Sequence, residues 1–230
     1  MFMAPAPPVA VAAQAPRTEF HAYRVTAAAG SERVEFAGDG AAGCADRGVC
    51  GVSGTETFTP VRPDTDSLAT FVRISGRVSG QAFFSGGNST ASVTTAGADG
   101  TCTDAFYTRQ AVVTFRRAGL RVQATLHGPV GEPPVGQDAA IFATHCAGPR
   151  VADLARAGAL PRAIVAVSRL RRPALVLDLT AETPFSAAGF SGRVVADVRV
   201  RIKRDRRLER LLLGQGTLTV GGGLGGGAPP

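Results

Sequence analysis

The chain has 230 residues, 44% of them hydrophobic, with 12 Phe, two Tyr, no Trp and a formal net charge of +7. That length supports one large β-domain or two small ones and buries a core without metals or crosslinks to hold it, so any disulfide is reinforcement. The composition predicts an aliphatic core, and no run of 18 or more uncharged apolar residues is present to cross a membrane as a helix.

Lys203 is the only lysine among 25 basic residues and Asn88 the only asparagine, a usage that looks like the codon bias of a GC-rich bacterial genome. The arginine count alone is therefore weak evidence of a partner. The placement of charge says more: residues 1–149 carry 11 basic and 12 acidic side chains, whereas 150–210 carry 14 and 6.

In chain order, residues 1–15 read as the back end of a secretory signal, with Ala13-Gln14-Ala15 as an A-x-A cleavage site before Pro16. The positive n-region is missing and prolines shorten the apolar run, so a disordered Ala/Pro leader is the rival reading. Export would place Cys44, Cys50, Cys102 and Cys146 in an oxidising compartment, where an even set of cysteines predicts disulfides. The short Gly/Ala/Asp loop favours Cys44 with Cys50, which leaves Cys102 for Cys146. Free buried thiols are the second reading. Zinc is the third, because C-x₅-C followed by thiols with 43 residues between them departs from the paired close spacing of a structural site, and His145 and Cys146, as adjacent strand residues, would point to opposite faces.

Period-two alternation recurs after residue 19 and predicts strands near 20–26, 32–37, 52–59, 69–84, 89–95, 139–145, 163–168, 174–180 and 216–220. Two stretches are clearest. Ala111, Val113 and Phe115 lead into a turn at Arg117-Ala118-Gly119, and Leu120, Val122, Ala124 and Leu126 return as the apolar face of a hairpin. Val194, Ala196, Val198, Val200 and Ile202 point one way, with Arg193, Asp197, Arg199 and Arg201 opposite. Val151 to Leu160 reads as a helix, "RDRRLERLLLG" as a short helix or a loop, and the closing Gly/Pro tail, 221–230, as disordered.

The expected fold is all-β: an antiparallel sandwich, immunoglobulin-like or jelly-roll-like, with at most one or two short helices. A module over 16–149 is followed by a second module, or the rest of one large sandwich, over 150–220. Ser75-Gly76-Arg77-Val78 recurs as Ser191-Gly192-Arg193-Val194, a faint repeat compatible with two modules.

Candidate chemistry is sparse. No G-x-S-x-G, S-x-x-K or H-E-x-x-H motif is present, and His21, His127 and His145 fall near strand ends. Glu56, Asp104 and Asp178 are the acids that a β-sandwich glycosidase or lyase would pair across a groove, and Asp64 with Asp66 form an incomplete calcium pattern that reads as a solvated turn. Asn88-Ser89-Thr90 reads as a turn. No cofactor or metal is expected. The basic run Arg199, Arg201, Lys203, Arg204, Arg206 and Arg207, continued by Arg210, is the feature with chemical content. It reads either as an anion-binding surface or as guard charges on an edge strand. The missing aromatic interleaving and module signatures argue against nucleic acid. The expectation is an exported envelope or extracellular protein with a structural or binding role, contacting an anionic polymer or lipid surface. A polysaccharide hydrolase or lyase is the alternative.

Overall fold

The computed structural model describes residues 18–39, 50–74, 77–96, 101–129, 146 and 148–214. The expected strands at 139–145 and 216–220, the Cys44–Cys50 pairing and the features assigned to 1–16 and 221–230 lie outside them.

Nine antiparallel strands form one sheet: β1 (Thr18–Gly38), β2 (Cys50–Pro60), β3 (Leu68–Ile74), β4 (Arg77–Ala96), β5 (Thr101–Ala118), β6 (Arg121–Pro129), β7 (Arg162–Ala166), β8 (Ala174–Ala187) and β9 (Phe190–Arg204). Between β6 and β7 lies a short helix, α1 (Val151–Arg156). A 3₁₀ turn over Val167–Arg171 precedes β8, and α2 (Arg206–Gly214) follows β9. The all-β class read from the alternation is the class observed. From β3 to β9 sequential strands are neighbours, an up-and-down order; Greek-key crossings of a jelly roll or immunoglobulin-like sandwich are not seen among the described residues. Strands from both sides of residue 150 share this sheet through β6–β7 and β1–β9.

The strand neighbours close on themselves. β2 and β3 lie in line along one edge of β1 and one edge of β4, and β9 covers the other edge of β1. One circuit therefore has eight positions. Following paired residues once round, from Ser31 through Asp197, Thr180, Arg162, Thr125, Thr114, Gln81 and Thr70, returns to β1 at Ala22. That stagger of about eight residues, once the bulge at Thr26 is discounted, is typical of eight-position barrels whose interior is filled by side chains. Strands occupy all eight positions at one end only, and β7 and β8 diverge towards it. β7 meets β8 at the single pair Arg162↔Thr180, and α1 also packs beside β8. The Cys102–Cys146 disulfide, with Cα atoms 5.8 Å apart, ties the start of β5 to the chain entering α1.

The interior is mainly Ala, Val and Leu, as expected, with phenylalanines set among them. Eight of the 12 phenylalanines are buried, and Phe71 stacks edge-on against Tyr23 (5.3 Å) and Phe115 (4.5 Å). Each buried aromatic supplies large apolar area per residue. β9 matches its alternation residue by residue: Val194, Ala196, Val198, Val200 and Ile202 are buried, and Arg193, Asp197, Arg199 and Arg201 are exposed. Tight coiling at β1–β9 depends on two glycines. Gly30 has φ +104°, and a Cβ there would sit 1.8 Å from the Asp197 carbonyl oxygen; a Cβ at Gly192 would sit 1.9 Å from that of Glu35.

Candidate functional site

Because the strands alternate in direction, the start of β1, the β3–β4 and β5–β6 connections, the end of β7, the start of β8 and the end of β9 all lie at one end of the ring. Arginine collects there from both halves of the sequence. The β5–β6 turn exposes Arg116, Arg117 and Arg121; the 3₁₀ turn and its exit expose Arg169, Arg171 and Arg172; β9 and α2 expose Lys203, Arg206, Arg207 and Arg210.

Local physical chemistry holds these elements together. Gly119, with φ +63° at the first position of the two-residue loop between paired Ala118 and Arg121, gives the tight turn a type II′ hairpin needs. The Val167 N–H donates to the Leu120 carbonyl at 3.3 Å, seating the 3₁₀ turn against that loop. Leu170 is buried, and the Tyr23 hydroxyl donates to its carbonyl oxygen. Asp205 caps α2: its carboxylate accepts from the N–H groups of Leu208 (3.0 Å) and Arg207 (2.9 Å), and its own N–H donates to the Ala22 carbonyl (2.9 Å). The Leu208 N–H, with the Arg24 guanidinium at 3.0 Å, holds the Asp205 carboxyl below its ordinary range.

Three acids at this end are engaged by arginines: Glu19 by Arg171 (2.6 Å), Asp205 by Arg24 (3.0 Å) and Glu209 by Arg204 (2.8 Å). His21 lies between Glu209 (3.7 Å) and Glu19 (3.9 Å), and burial, with Arg204 nearby, lowers its pKa below 6.5. Arg116, Arg121, Arg169, Arg172, Lys203, Arg206 and Arg207 make no ion pair among the described residues. The outcome is an end with an excess of positive charge.

Of the sequence-predicted basic run, Arg199 lies on the outer wall, bound to Asp178 at 2.5 Å, and Arg204 is turned to Glu209. Arg201, Lys203, Arg206 and Arg207 are exposed. The guard-charge reading assumed an edge strand, and here it is corrected: β9 is hydrogen-bonded to β8 on one side and β1 on the other. Sequence reasoning missed the contribution of Arg116, Arg117 and Arg121, which only the hairpin brings to this end. It also placed Leu120 on the apolar face. Val122, Ala124 and Leu126 are buried, but Leu120 is 83% exposed, because it occupies the turn instead of the strand.

The candidate acids do not form an open pair. Asp178 is outside on β8, whereas Glu56 is enclosed and shares an inward row with Ala91 and half-buried Asp104. A buried acid not anticipated, Glu32, lies diagonally across from Glu56, since Glu32 pairs with Phe58 and Val34 with Glu56. Asp64 accepts from the Asp66 N–H (3.1 Å) and the Ser67 hydroxyl (2.9 Å), a turn held by its own side chain. On the upper wall an open groove of about 630 Å³ runs past Ser53, Thr55, Ser92 and Ser191. The carboxylate there, Glu35, is held by Arg193 (2.6 Å) and Arg33 (2.9 Å). No cluster of three or more His, Cys, Asp or Glu able to hold a metal occurs among the described residues. No protein-family model, curated protein or solved structure matches the chain.

Proposed function

We propose that the chain is an exported, non-catalytic β-protein of the cell envelope or extracellular space that docks end-on against anionic surfaces. The observation that carries this reading is the basic barrel end, where Glu19, Asp205 and Glu209 are each bound to an arginine and seven exposed basic side chains make no ion pair among the described residues. Clustered unneutralised charge creates a potential that concentrates and orients polyanions. Export is supported by the Ala13-Gln14-Ala15 pattern and by the Cys102–Cys146 disulfide, which fits an oxidising compartment. The enclosure of Glu56 and the ion pairing of Asp178 favour a docking role over carboxylate-pair hydrolysis.

The test is retention of the full chain on immobilised dextran sulfate and on anionic vesicles as salt rises from about 0.05 to about 0.5 M, which shortens the screening length severalfold. Affinity is expected to fall at least tenfold over that range. Binding unchanged by salt, or no binding to either polyanion at low salt, contradicts the proposal.

A further inference from the structure

The basic end also exposes leucine, and the leucines sit where the arginines do. Leu120 projects from the tip of the β5–β6 turn between Arg117 and Arg121. On α2, Leu208, Glu209 and Leu212 are half-buried against the body, while Leu211 (54% exposed) and Leu213 (47% exposed) flank an outer comb of Arg206, Arg207 and Arg210. These two elements belong to one surface. The hydrogen bond from Val167 to Leu120 joins the hairpin tip to the 3₁₀ turn, Arg171 joins that turn to Glu19 on β1, and Asp205 joins β1 to the start of α2.

We infer that this end inserts its leucines into the headgroup region of an anionic lipid bilayer, with the surrounding arginines on the lipid phosphates. The inference rests on the proposed anion-docking function and narrows its partner to a membrane. Exposed leucine within a basic surface matches a medium that is anionic outside and apolar beneath. A hydrophilic polyanion supplies the first property and not the second. Arginine suits the boundary because its stem packs against acyl chains while the guanidinium stays at the phosphates. The side walls expose Ile164, Val176 and Val195 singly among Arg33, Glu35, Asp178, Asp197 and Arg199, where a spanning barrel presents a continuous apolar band. Among the described residues, the end is where exposed leucine and unpaired arginine occur together.

The chain has no tryptophan, so one introduced indole reports its own position. Leu120→Trp and Leu213→Trp are compared with Thr103→Trp, at an exposed site near the opposite end, on vesicles of equal parts phosphatidylglycerol and phosphatidylcholine. Blue-shifted emission and quenching by brominated acyl chains are expected at 120 and 213 and not at 103. A Leu120→Ser, Leu211→Ser, Leu213→Ser variant is expected to lose roughly tenfold in vesicle affinity per leucine with retention on dextran sulfate unchanged. All three sites are exposed, and far-UV circular dichroism checks the fold. If the parent binds vesicles but the indoles at 120 and 213 stay in water, or the serine variant binds as well as the parent, the insertion is wrong and the anion-docking function stands. Binding to dextran sulfate and not to vesicles has the same meaning. Failure of the parent to bind either probe overturns both.

Discussion

Glu32 is 1% exposed between Phe58 and Ala196, and its Oε2 has no hydrogen-bond partner among the described residues. Burial pushes its pKa from 4.5 up to about 8, so the carboxyl is neutral at pH 7. A folded-state pKa above the unfolded value favours the native state below about pH 4.5, and that contribution is lost as pH rises through about 8. At about 1.4 kcal/mol per unit, the loss attributable to Glu32 approaches roughly 5 kcal/mol as an upper bound. Glu32→Gln, which mimics the neutral acid, is expected to flatten the dependence of unfolding free energy on pH between about 5 and 8, read from urea midpoints. Parallel curves for parent and variant would show that Glu32 does not titrate in this range. The residue was legible in the sequence: in "SERVEF" it shares parity with Val34 and Phe36, both buried. A charge on an apolar face was the available signal.

Among the elements, α2 depends most on a single side chain. Its first-turn N–H groups are satisfied by Asp205, and its nine residues are too few for propensity alone to hold a helix. Asp205→Ala is expected to cost about 1 kcal/mol of helix stability and to speed amide hydrogen exchange at Leu211–Leu213 while β9 stays protected. Equal protection in parent and variant would mean that packing on β1 alone holds the helix. The strands were the legible part of the fold. β9 and the β5–β6 hairpin follow their alternation closely, whereas the expected strands 20–26 and 32–37 are one strand, β1, bent at the Thr26 bulge. Alternation marks which residues face inward and is silent on which edges pair, so neither the β1–β9 closure nor the in-line placement of β2 and β3 could be read from it. "RDRRLERLLLG" resolves as a helix because Asp205 begins it, a capping signal present in the sequence.

For the whole molecule, linear charge and spatial charge divide differently. The sequence assigns the positive excess to residues 150–210, and the fold redistributes it along the barrel, bringing Arg116, Arg117 and Arg121 to the end that already holds the 3₁₀ turn and α2. Strand direction makes this polarity, since hairpin connections at alternate positions share one end. The central claim is that location, not total charge, governs docking. The most direct test compares two variants of equal net charge on anionic vesicles at about 0.1 M salt. One removes Arg116, Arg121, Arg206 and Arg207 as Gln, and the other removes Arg33, Arg156, Arg162 and Arg199 as Gln. At about 1 kcal/mol per basic residue near a charged surface, the first is expected to lose about a hundredfold or more in affinity and the second to stay within about threefold of the parent. Equal losses in the two variants would contradict end-on docking and leave only the attraction of a basic protein for any anionic surface.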